Sequence, residues 1–172
     1  LPMVRDTFAL TADLTAWIDV SFTLPFMLFM PVYGRLGDGL GARRLLLAGI
    51  ALFTLGTALV LNASTMPHLL VGRTVQGIGL AGMTPLSIGL IASLFPPQTR
   101  GQTMGTWSTV GPTTGFLGPL AAGLLVGVWG WQAAFAPSLV CGFITFVVVY
   151  HLIPARTHST QTNSMAFLRT FD

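Results

Sequence analysis

Between Arg44 and Arg156 the chain carries only two charged residues, Arg73 and Arg100. Residues 45–72, 74–99 and 101–155 contain no Asp, Glu, Lys or Arg, and neither does 20–34. Crossing the roughly 30 Å hydrocarbon layer takes about 20 apolar residues as a helix, and each of the three long gaps is sufficient. The 55-residue stretch 101–155 holds two crossings, divided at "GVWGWQ" (127–132), where tryptophans are expected at the membrane interface. The length of these apolar runs predicts an all-α membrane protein. Five helices are expected, at about 14–34, 43–63, 67–95, 101–128 and 131–154.

Sidedness follows from the arginines. Arg35, Arg43 and Arg44 fall between the first two helices, Arg100 between the third and fourth, and Arg156 and Arg169 in the tail; the alternate connections, 62–66 and 128–131, carry none. Basic connections stay in the cytoplasm. The reading is therefore a multi-pass protein of a cell membrane, inner or plasma. Its N-terminal segment lies outside, and residues 155–172 form a cytoplasmic linker rich in Ser, Thr and Gln. Five spans with an external start suggest a further helix ahead of Leu1, so a truncated front is expected.

Composition narrows the function. Charged residues make up 8% of the chain, against about 25% in soluble domains. The net charge of +3 is all arginine over aspartate. The arginines are scattered rather than interleaved with aromatics, so no nucleic-acid partner is expected. Cys141 is the sole cysteine, which excludes an internal disulfide. His68, His151 and His158 are too dispersed for a metal cluster or a nucleophile–base pair, so neither an enzyme nor a metal site is expected. The stretch Gly77-Ile78-Gly79-Leu80-Ala81-Gly82 has dinucleotide-loop spacing, but no acid lies between Asp38 and Asp172 to hold a ribose.

Those glycines sit instead in a proposed membrane helix, where small residues let helices approach closely. Arg73 lies about six residues into the same helix, roughly 9 Å from its outer end. Such a guanidinium faces a protein interior or wet cavity and needs company, unless it snorkels to the interface. Asp19, about six residues into its own span at the same end, is the candidate partner, and Gln76 can add a hydrogen bond one turn away. The fourth span contains Gly105, Gly111, Gly115, Gly118 and Gly123 with Pro112 and Pro119, which predicts a bent, closely packed helix. In "GRLGDGLGARR", Gly34, Gly37, Gly39 and Gly41 suit a tight turn, and Asp38 is expected to oppose the start of the next helix.

Together these stretches resemble the N-terminal half of a major facilitator superfamily permease. Gly34, Leu36, Asp38, Gly41 and Arg43 or Arg44 fall on the signature between the family's second and third helices, with Gly39 and Ala42 standing where it has basic residues. Arg73, Gln76 and Gly77 match the helix-four signature. "GFLGPLAAG" is similar to the helix-five antiporter signature at Gly118, Pro119 and Gly123, with Ala122 in place of a glycine. The motif order and the W…L spacing from Trp17 to Leu24 ahead of "FMPVYGRLGD" most resemble the fourteen-helix drug:proton antiporters, although Gln132, Ser138 and Val140 depart from that branch's later pattern.

The resemblance implies a partial six-helix bundle over residues 1–154, lacking its first helix. It implies proton-coupled export of drugs or amphipathic small molecules by alternating access, with the proton gradient as energy source and no cofactor. By the same resemblance Asp38 with Arg43 and Arg44 would latch the cytoplasmic side, Arg73 would belong to proton coupling, and the segment Gly111, Pro112, Gly115, Gly118, Pro119 and Gly123 would seal the pathway. The partners implied are the bilayer, the small-molecule substrate and a C-terminal half absent from this sequence, without which the chain should transport nothing. A carrier of sugars, organic anions or metabolites, and a non-transporting remnant or assembly partner, are the competing readings.

Overall fold

The computed structural model describes residues 12–153; the N-terminal eleven residues, Arg156, His158, Arg169 and the rest of the linker lie outside the described residues. Among the described residues all regular structure is helical: α1 (Ala12–Leu40), α2 (Ala42–Leu61), α3 (Met66–Leu80), α4 (Met83–Leu94), α5 (Pro97–Trp129), a 3₁₀ turn (Trp131–Ala134) and α6 (Ala136–Leu152). Four stretches are long and apolar enough to cross a membrane: Ala16–Gly37, Ala42–Leu61, Met66–Leu94 and Pro97–Trp129. The apolar α6, with 17 residues, is shorter.

The boundaries depart from the sequence reading for identifiable reasons. The first turn is one residue long rather than about eight: α1 runs to Leu40 and α2 begins at Ala42. Gly41 makes this reversal at φ +89°, a left-handed conformation that costs glycine nothing. Asp38 consequently lies in the last turn of α1, not at the start of α2, and its side chain is outside the described set. The predicted helix 67–95 is interrupted at Ala81–Gly82. Pro85 explains this: it lacks an N–H and its ring crowds the carbonyl four residues back, that of Ala81. Both residues nevertheless keep αR backbone angles, so α3 and α4 continue as one span. The last helix starts at Ala136 rather than 131, after Gly130 at φ +84° and the 3₁₀ turn.

The core forms around α2 and α3, which pack most extensively; α1 lies against α3, and α6 against α2. One apolar cluster joins Tyr33, Leu46, Ile50, Ala81, Leu86, Leu90 and Val149. A second, at the other end of α2 and α3, gathers Ile18, Val60, Ala63, Leu69 and Trp131. Trp129 is exposed, whereas Trp131 is buried in this second cluster.

Glycines set the helix separations. Gly49 and Gly56 of α2, seven residues apart, face Gly79 and Gly72 of α3; a Cβ on Gly56 would lie 2.9 Å from the Gly72 carbonyl oxygen. Gly77, two residues from Gly79, turns instead toward α1 and abuts the Phe22 backbone. The expectation for α5 is not met within this chain. It has no buried residue, and Gly105, Gly111, Gly115, Gly118 and Gly123 have no neighbour within 4 Å of an added Cβ. Its chief contacts are with α4 and the 3₁₀ turn, its neighbours in sequence, and hydroxyls from Thr103 to Thr114 bond back to carbonyls of their own helix.

Candidate functional site: the Arg73 centre

Arg73 enters from α3 about 10 Å beyond Met66, at 1.5 Å per residue, into the space between α1 and the start of α6. Each edge of its guanidinium meets a different group. Nε donates to the Ile18 carbonyl at 3.3 Å, Nη1 donates to Gln76 Oε1 at 3.2 Å, and Nη2 lies 3.7 Å from Asp19 Oδ1. Its Cζ stands 4.6 Å from the Phe22 ring centroid and 5.7 Å from that of Phe135, both within cation–π range. The aromatic faces and the carbonyl replace hydration that a charge at this depth would otherwise lack.

Asp19 and Arg73 are unequal partners. The arginine side chain is 16% exposed and the carboxylate 58%. At 3.7 Å they form an ion pair longer than a hydrogen bond, and the carboxylate stands open at the surface of the chain. A largely enclosed cation with an acid at its open side can exchange the acid's charge for another ligand or a proton without unpacking. That is the chemistry the arrangement offers.

Gln76 is buried and links the centre to α2: its Nε2 donates to Thr57 Oγ1 at 2.9 Å. Thr57, absent from the sequence-level site, is buried with no exposure at all. Its only sequence signal was a hydroxyl one residue after Gly56, in a charge-free run. Gly77, beside Gln76, brings α1 close enough for the Ile18 carbonyl to be reached.

The second group of residues is dispersed. Gly34 and Gly41 face open space, Leu36 and Arg44 are exposed, and Gly37 packs on Leu86. Arg43 turns inward: its Nη2 donates to the Tyr150 carbonyl at 2.7 Å and its Cζ lies 5.6 Å over the Tyr150 ring. It therefore completes the C-terminal turn of α6, where a cation also suits the helix dipole. Arg100 does the same for α4, donating to the Ala92 and Phe95 carbonyls. The helix-five residues Gly111, Pro112, Gly115, Gly118, Pro119 and Gly123 are on the exposed α5, apart from the Arg73 centre.

The profile of the Major Facilitator Superfamily matches residues 1–170. The chain belongs to the Major Facilitator Superfamily. It is 33% identical over 141 residues to multidrug resistance protein 3 of Bacillus subtilis, covering 81% of this chain and 28% of that protein. An uncharacterized MFS-type transporter of Mycobacterium tuberculosis is 35% identical over 142 residues, 83% of this chain and 24% of the relative. The methylenomycin A resistance protein of Streptomyces coelicolor is 31% identical over 160 residues, 92% of this chain and 34% of the relative. The chain thus spans from 24% to 34% of the length of these relatives. As a Major Facilitator Superfamily chain with four stretches long and apolar enough to cross a membrane, it is a multi-pass membrane protein and not an enzyme.

Proposed function

We propose that this chain forms part of the N-terminal bundle of a proton-coupled exporter of drugs or other amphipathic small molecules, working by alternating access. Its relatives include proteins named for multidrug and methylenomycin A resistance. The observation that carries the reading is the Arg73 centre: a largely enclosed guanidinium 3.7 Å from a carboxylate left open at the surface of the chain. A proton or a cationic substrate that neutralises or displaces Asp19 changes the charge balance around Arg73, while Ile18, Gln76, Phe22 and Phe135 keep the guanidinium in place. In this reading the N-terminal segment is outside and the linker cytoplasmic, in the inner or plasma membrane. A second half closes the pathway, the chain alone does not transport, and the proton gradient supplies the energy.

The test is a chimaera in which this chain replaces the matching region of the Bacillus subtilis protein. Dye efflux from energised cells, abolished by a protonophore and by Asp19→Asn, is the expected result. A chimaera that inserts normally but moves no dye, or whose efflux ignores the protonophore, overturns the reading.

A further inference from the structure

The polar chain that terminates at Arg73 starts on Thr57, a residue outside all three motifs. The two helices meet here without side-chain bulk between them. A Cβ on Gly56 would lie 2.5 Å from the Gln76 backbone nitrogen and 2.9 Å from its Cγ. The neighbouring Thr57 hydroxyl is thereby brought within reach of the Gln76 amide. Both side chains are almost completely enclosed, Thr57 at 0% and Gln76 at 2% exposure, so every polar atom must find its partner within the protein.

A threonine hydroxyl has one proton to give. That proton goes to the Phe53 carbonyl, 2.9 Å away on the preceding turn of α2. Toward Gln76 the same oxygen can therefore only accept, and Gln76 presents Nε2 to it at 2.9 Å. An amide is asymmetric: once its NH₂ end is committed, its carbonyl end points the other way, here to Arg73 Nη1 at 3.2 Å. The reversed amide would set an NH₂ group against a guanidinium, donor against donor. It would also set an oxygen against a hydroxyl with no proton left to offer. Both contacts would be repulsive in a place closed to water.

We infer that Thr57 is a positioning residue for Arg73: by accepting from Gln76 it fixes the orientation of the buried amide, and the amide oxygen then holds the guanidinium beside Asp19. The Ile18 carbonyl and the Phe22 ring constrain Nε and one face of the guanidinium; Gln76 constrains Nη1, and without it that edge of the guanidinium is held less tightly. The consequence for coupling rests on the reading of Arg73 and Asp19 proposed above, whereas the positioning itself does not require transport.

The experiment is residue-resolved modification of the full 172-residue chain in phosphatidylcholine vesicles by phenylglyoxal, followed by mass spectrometry. Arg43 and Arg100, which hold helix ends elsewhere, serve as internal references. Thr57→Val keeps the side-chain shape and removes the hydroxyl. It is expected to raise the modification rate at Arg73 about fivefold, the worth of one hydrogen bond, and to leave the two reference arginines unchanged. Thr57→Ser, which restores the acceptor, should react as the wild type does. An unchanged rate at Arg73, an equal rise at all three arginines, or a Ser variant that behaves like the Val variant overturns the inference. If the Val variant does not insert, Thr57→Ala must show the same selective rise, and its failure to do so counts equally against the inference. Modification is read without substrate or second half, so a failed efflux assay and a failed positioning assay are separate results.

Discussion

The carbonyl oxygen of Gly79 on α3 lies 2.7 Å from where a Cβ on Gly49 of α2 would stand. Nothing but hydrogen fits between the two backbones at that point. The same pairing recurs one heptad away, at Gly56 and Gly72, so the antiparallel pair is held at glycine distance over two turns. Gly49→Val should therefore push α2 and α3 apart and cost about 1–3 kcal/mol, in the range for overpacking. Gly89→Val, on α4 with nothing within 4 Å, should be near neutral. Thermal unfolding of the detergent-solubilised variants, followed by circular dichroism, compares them.

Asp19→Asn separates stability from function. The carboxylate is 58% exposed and its ion pair is 3.7 Å long, so its loss should change stability by less than about 1 kcal/mol. Arg73 keeps its bonds to Ile18 and Gln76. The same thermal unfolding measurement checks this, and a large destabilisation would show that the pair is structural.

Gln76→Leu should be costlier. It leaves Arg73 Nη1 without its Gln76 partner in a largely enclosed place and removes the link to α2. A loss of about 1–3 kcal/mol is expected, the usual cost of an unsatisfied buried polar group. Urea titration of the protein in micelles would measure it.

Arg43→Ala should loosen the end of α6 alone. Its guanidinium holds the Tyr150 carbonyl at 2.7 Å, and a capping bond of about 1 kcal/mol corresponds to roughly fivefold faster local opening. Amide hydrogen exchange over residues 150–153 reads this directly. Arg44→Ala, at an exposed position, should leave that segment as it is.

In α5, Gly111→Ala and Gly118→Ala meet nothing within 4 Å. Within this chain they should be neutral or stabilising by up to about 1 kcal/mol, because alanine is the better helix former. A marked loss of thermal stability would mean that α5 packs where the structure leaves it open.

The sequence alone determined where helices run and that Arg73 must be accommodated. The reason is physical: hydrocarbon tolerates neither unpaired backbone nor unpaired charge, so one arginine between charge-free runs stands out without any knowledge of the fold. Pro85 also carries the lapse at Ala81–Gly82 in the sequence itself, through its missing donor. The rest depended on which helix lies beside which. A 3.6-residue period tells which residues share a face but not what that face meets. Only packing could send Gly77 to α1 while Gly72 and Gly79 went to α2, place Trp131 in the core, turn Arg43 onto Tyr150 and leave the glycines of α5 uncovered. Thr57 is the plainest case: its hydroxyl acquires a role only because Gly56 lets another helix come close enough to use it.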